Sequence, residues 1–118
     1  MTNRKSRLIA LAVTSTLAAL GNIAFAGTGQ GKVGTYLVGR LGYQVYVQIL
    51  NPVFQSFPCG TPNLNNWQYA FSTQAPGGKD MLATLLAAKA TGQTLIFVGT
   101  GTCTQDAAME DVSYIIAL

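Results

Sequence analysis

Histidine is absent from these 118 residues. That removes Ser-His-Asp and Cys-His nucleophilic schemes, and with them the commonest general acid or base near neutral pH. Cysteine is limited to Cys59 and Cys103. Two thiols with no imidazole leave too few soft ligands for a zinc-type site. Acidic residues are limited to Asp80, Asp106, Glu110 and Asp111. The last three fall in one polar stretch before a final strand, where carboxylates are ordinarily solvated, so paired-carboxylate catalysis is not expected. Gly99-Thr100-Gly101 is followed by neither a helix nor a lysine and is not a phosphate loop. Gly77-Gly78-Lys79 does open a helical stretch and could offer N–H groups to an anion. With Asp80 in the first turn it reads first as a turn and cap. The expectation is a protein that is not an enzyme, with no cofactor and no metal.

Basic residues are present but unevenly placed. The whole chain carries +3 at neutral pH. Arg4, Lys5 and Arg7 precede an apolar run at residues 8–20, and Ala24-Phe25-Ala26 follows as a small-x-small site. This is the three-part layout of a secretory signal peptide, expected to be cleaved after Ala26. Gly21 and Asn22 interrupt the run, which is short for a membrane span of about 20 residues. Residues 1–26 are therefore set apart, and residues 27–118 form one domain with no membrane insertion after cleavage. In that domain Lys32, Arg40, Lys79 and Lys89 balance the four acids, leaving a net charge of zero. A nucleic-acid binder needs a field of Lys and Arg to displace counterions, and no such field remains. The expected location is periplasmic or secreted. In such a compartment two cysteines read by default as one disulfide, Cys59 to Cys103.

The centre of organisation is residues 76–103. Pro76-Gly77-Gly78 ends what precedes it. Residues 79–90 are rich in Ala, Leu, Met and Lys, the strong helix formers. Leu82, Leu85 and Leu86 lie at i, i+3 and i+4 and are expected to be buried together, with Met81 and Ala88 widening the stripe. Asp80 and Lys89 complement the helix dipole, and Gly92 suits a left-handed C-terminal cap. Leu95-Ile96-Phe97-Val98 reads as a buried strand, and the alternate glycines after it suit a bulge or a close backbone approach.

On either side the chain reads as β-structure. Residues 27–31, GTGQG, read as a flexible start. Residues 32–38 read as a strand, then Gly39-Arg40-Leu41-Gly42 as a hairpin turn. In residues 43–50, Tyr43, Val45, Val47 and Ile49 alternate with Gln44, Tyr46 and Gln48, the pattern of a half-buried antiparallel strand. Residues 51–66 carry three prolines and read as irregular. Residues 67–73 read as a strand with Trp67, Tyr69 and Phe71 on one face. Residues 104–110 read as a loop and 111–118 as the last strand. The class is mainly β with one helix, in the order β-β-β-α-β-β. That order is the one found in a small five-stranded OB-like Greek-key barrel; a small sandwich with a packed helix is the rival.

The aromatic residues carry the functional expectation. Trp67 and Tyr69 follow the Asn-rich segment that ends in Asn65 and Asn66. A ring face covers apolar C–H surface while neighbouring amides bond hydroxyls, which suits a neutral, hydroxyl-rich ligand. Arg40 in the first hairpin adds a donor fork for an acidic sugar. The candidate ligand-binding set is Trp67, Tyr69, Asn65, Asn66 and Arg40.

Three features together, the leader, a small disulfide-bearing β domain and the segment MLATLLAAKATGQTL at residues 81–95, resemble the binding (B) subunits of AB-type bacterial toxins of the subtilase cytotoxin and pertussis-like groups. The resemblance implies an OB fold, a ring-shaped pentamer and glycan binding in an exported toxin-like assembly. The alternative is an exported structural or protein-interaction protein, such as an inhibitor or assembly subunit that pairs through a sheet edge. Partners under the two readings are a glycan with copies of the same chain, or an exported protein.

Overall fold

The computed structural model describes residues 26–56, 58–59 and 67–118. The signal-peptide expectation, apart from Ala26, falls outside the described residues, as do Asn65 and Asn66. The described chain runs β1 (Thr28–Arg40), β2 (Gln44–Gln55), β3 (Tyr69–Ser72), α1 (Gly78–Thr91), β4 (Thr94–Gly99) and β5 (Glu110–Ala117). It is mainly β with one helix, which sits between the third and fourth strands as expected.

The order around the sheet differs from the order along the chain. The ring is β1-β2-β3-β5-β4, closed by pairing of β4 with β1. All the pairings are antiparallel except β3 with β5, which are parallel and meet only at Tyr69↔Glu110 and Ala70↔Asp111. Strand β1 makes the closure. Thr28, Gly29, Gln30 and Lys32 pair with β2 on one side, and residues 28–32 pair with β4 on the other. Its ladder with β2 slips at three places, between Gln30 and Lys32, Val33 and Tyr36, and Val38 and Arg40. Such bulges bend a strand and raise its twist, as closure requires.

Residues 28–31 of the glycine-rich start are therefore ordered strand, contrary to expectation. Composition argued for flexibility, but pairing on both sides decides. The glycines fit because large side chains lie against them: a Cβ on Gly29 would meet the Tyr69 ring at 2.8 Å, and one on Gly31 would overlap Ile49. Strand β2 is also longer than its alternation indicated and continues through Asn51 and Pro52 to Gln55.

The interior is filled by Val33, Val45, Val47, Ile49, Tyr69, Phe71, Leu85, Leu95, Phe97 and Val112. Alternation along β2 and β4 supplies half of these, as expected for strands with one face inward. Tyr43, expected on that inner face, instead lies in the hairpin turn and is only half-buried. The turn closes with the Gly42 N–H donating to the Gly39 carbonyl at 2.8 Å. The opposite face of β2 is less open than its polar pattern suggested. Gln44 and Tyr46 are buried there, Tyr46 in a second cluster with Ala70 and Met109, flanked by Leu37 and Trp67.

Helix α1 packs against β1 and β5. Its buried positions are Gly78, Leu85 and Ala88, with Met81 and Leu82 half-buried beside the core. Leu86 is 41% exposed, which corrects the expectation that it shares the buried face. Gly78 sets the phase: its Cα lies so close to β3 that a Cβ would overlap the Ser72 carbonyl oxygen. The inward stripe therefore runs 78, 81–82, 85, 88, and Leu86 falls off its edge. Gly92 adopts the left-handed cap, its N–H donating to the Ala88 carbonyl. Leu85→Ala is expected to cost about 2–3 kcal/mol, and Leu86→Ala under about 1 kcal/mol, read from denaturant midpoints. Equal effects at the two positions would mean that the helix is rotated.

Candidate functional site

One cluster of side chains lies outside the barrel on β2 and β3, where the hairpin of residues 41–43 and the loop of residues 100–109 converge. Tyr46 is its centre. The ring is 2% exposed and its oxygen lies 3.2 Å from Gln44 Oε1 and 3.5 Å from Asp106 Oδ2. Gln44 Nε2 donates to the carbonyl and the side-chain oxygen of Gln105, at 3.2 and 3.1 Å. The loop is thus fastened across the outer face of β2. Above the ring, the exposed Arg40 places its guanidinium carbon 5.4 Å from the ring centroid, a cation–π arrangement. Beside it the half-buried Trp67 ring sits 6.4 Å from Tyr46, tilted by 55°.

Arg40 and Trp67 therefore come together, joined by Tyr46. Tyr69 does not join them. It is fully buried inside the barrel, stacked on Phe97 at 5.3 Å and inclined to Phe54 at 6.4 Å. The expectation that Trp67 and Tyr69 share a face fails because regular pairing begins only at Tyr69. Gln68 turns inward just before it, 1% exposed, and accepts the Ile49 N–H at 2.8 Å. The two-residue period is broken there, and Trp67 packs on the outside. Burial, and then the negative charge of Glu110, raise the Tyr69 pKa far above its ordinary value. Gln44, Gln105 and Asp106 were not anticipated; they meet only because residues 100–109 fold back over β2.

The acids are not solvated in the way their loop-like sequence suggested. Glu110 is 0% exposed and Asp111 9%. Asp111 accepts the Thr104 and Gln105 N–H groups at 2.9 Å each and the Thr102 and Thr104 hydroxyls at 2.7 and 2.6 Å. Burial pushes its pKa up, and these hydrogen bonds outweigh that and hold it below the ordinary carboxylate value. Its role is to shape the β4–β5 loop. Glu110 sits among glycines: its Oε2 accepts the Gly27 and Gly101 N–H groups at 2.9 and 3.1 Å, and a Cβ on Gly99 would overlap the carboxylate. The close backbone approach read from the alternate glycines is thus an approach to a buried acid.

Cys59 and Cys103 form the expected disulfide, with Cα atoms 5.9 Å apart. It ties the segment after β2 to the same loop that covers Tyr46. A second outer surface, lined by Thr28, Gln30, Val53, Ile96, Val98, Tyr114 and Ile116, forms a groove over β1, β2, β4 and β5. Among the described residues no group of three or more His, Cys, Asp or Glu side chains could hold a metal ion. None of the described helices is long and apolar enough to cross a membrane. No protein-family model matches this chain, and neither a curated protein nor a solved structure matches it.

Proposed function

We propose that residues 27–118 are an exported, non-catalytic binding module with an OB-like Greek-key barrel, and that the Arg40–Tyr46–Trp67 face takes a hydroxyl-rich glycan. The pairing order, with the helix between the third and fourth strands, supports the barrel type. In that architecture the outer face of strands two and three, with the loops after strands one and four, is where oligosaccharides and oligonucleotides dock. The net charge of zero argues against the nucleic acid. The observation that carries the reading is the half-buried Trp67 beside Tyr46, with an exposed guanidinium stacked on the same ring. Trp67 supplies a face for sugar C–H groups, and Arg40 a fork for the carboxylate of an acidic sugar such as sialic acid. Affinity per site is weak in such an arrangement, so function calls for several copies, as in the ring of a toxin-like B subunit.

The test is a glycan array with the exported protein, alongside its mass in solution. Trp67→Ala is expected to weaken glycan binding roughly tenfold, and Arg40→Ala to weaken only acidic glycans, with the fold intact in both. Absence of glycan binding, or binding indifferent to Trp67→Ala, would defeat the reading. The second reading, a protein-interaction subunit, draws on the outer groove, where Val53 is 67% and Tyr114 52% exposed. It does not draw on residues 28–32, which already have neighbours on both sides.

A further inference from the structure

Glu110 poses a charge problem that none of the basic side chains among the described residues solves. The residue is fully buried, yet Lys32, Arg40, Lys79 and Lys89 are all exposed. Its Oε2 accepts two neutral backbone N–H groups, and its Oε1 has no hydrogen-bond partner. A buried carboxylate held only by neutral donors is costly, and the remedy is a cation with hydrogen bonds to spare.

One of the two donors is the nitrogen of Gly27. It lies 2.9 Å from Oε2, and the residue is itself buried. A Cβ on Gly27 would come within 2.7 Å of Oε1 and 2.5 Å of the Ser56 carbonyl oxygen, so acceptors border its α-carbon as well. Ala26, one residue earlier, is exposed, so the chain passes from solvent to the buried acid across a single peptide bond. That bond is the one at which the leader is expected to be cut.

We infer that Glu110 is a receptor for the α-ammonium of the processed chain: cleavage after Ala26 converts the Gly27 amide into a cation already seated on the buried carboxylate. The inference rests on the cleavage reading and goes beyond the glycan proposal. Hydrolysis of the Ala26–Gly27 bond consumes one water, leaves the Ala26 carboxylate on the departing leader and leaves the amine on Gly27. Protonated, that amine has three N–H donors where the amide had one. Oε2 keeps its bond, now charge-assisted, and two further acceptors, Oε1 and the Ser56 carbonyl, border the same residue. Gly27 also holds β1 to β4, its carbonyl accepting the Gly99 N–H at 2.8 Å. Removal of the leader therefore locks the strand that closes the barrel.

The experiment begins with the intact mass of the exported protein. A chain starting anywhere but Gly27 overturns both the cleavage reading and the lock. With the start at Gly27 established, the α-amine is acylated at pH 7 in native and in unfolded protein. An ordinary α-amine outpaces lysine at that pH because its pKa is near 8. It is expected to react at least about tenfold more slowly in the native state, and equal rates overturn the lock alone. A second variant carries one Ser inserted between Ala26 and Gly27, which moves the ammonium outward by one residue and leaves the Gly27 amide in place. Its unfolding midpoint is expected to fall by about 5 °C or more. In the Glu110→Gln background the difference between inserted and uninserted chains disappears. An insertion without effect, or one whose effect persists in Glu110→Gln, refutes the pairing. The acylation result decides by itself if Glu110→Gln does not fold.

Discussion

Phe97→Ala is expected to destabilise the barrel by about 3–5 kcal/mol, the range for deleting a fully buried aromatic ring. Phe97 is 0% exposed at the middle of β4 and stacks on Tyr69 with the planes 17° apart. Its cross-strand neighbour on β1 is Gly29, which has no side chain to move into the void. Its neighbour on the other side is Ile115. A cavity bordered by a glycine and a stacked ring collapses poorly, which puts the cost toward the upper part of the range. The measurement is the denaturant midpoint at unchanged slope. A loss under about 1 kcal/mol would show that the interior is not packed around this ring. Trp67→Ala serves as the contrast. It removes a half-buried ring from the outer cluster, so it is expected to spare most of the stability while reducing the proposed glycan binding.

The two rings differ in how far the sequence alone shows their place in the fold. Strand β2 was legible because Val45, Val47 and Ile49 repeat with the period of a strand, and α1 because a Leu/Ala stretch ends in Gly92. Tyr69 was legible as a strand residue but not as a core residue. Its sequence neighbourhood is amide-rich, and only the break in pairing at Gln68 separates it from Trp67. Leu86 lies off the buried face because helical spacing allows a broad stripe, and the close contact of Gly78 with Ser72 selects which part of it faces in. Residues 28–31 depart from expectation for a different reason. Glycine content measures the freedom of an isolated chain, whereas this segment is fixed by two neighbouring strands distant in sequence. Glu110 was hidden in the same way: nothing local distinguishes a solvated loop acid from one enclosed by Gly27, Gly99 and Gly101. What lay beyond the sequence was in each case a long-range contact.

Cys59→Ser combined with Cys103→Ser is expected to cost about 4 kcal/mol, the loop-closure entropy for a bond that joins residues 44 apart. The effect acts chiefly on the unfolded chain, which regains the freedom the bond withholds, so the barrel itself is expected to keep its architecture. The local consequence falls on the loop between β4 and β5. Cys103 sits between Thr102 and Thr104, whose hydroxyls both bond Asp111, and Gly101 of the same loop bonds Glu110. Two residues further on, Gln105 fastens Gln44 beneath Tyr46. The disulfide anchors this loop to Cys59, which is 7% exposed. Its loss is therefore expected to lower the unfolding midpoint and also to weaken the glycan binding proposed for Arg40 and Trp67, neither of which it touches. The check is a comparison of wild type with and without reductant against the double variant, read by midpoint and by glycan affinity. The reduced wild type and the double variant should coincide. If the midpoint falls and affinity does not, the Asp111 and Gln44 hydrogen bonds hold the loop without the covalent tie. If neither changes, the bond is not formed in the exported protein. The entropic account predicts a midpoint loss in every case where the bond forms, because it depends on chain length between the cysteines and not on the ligand face.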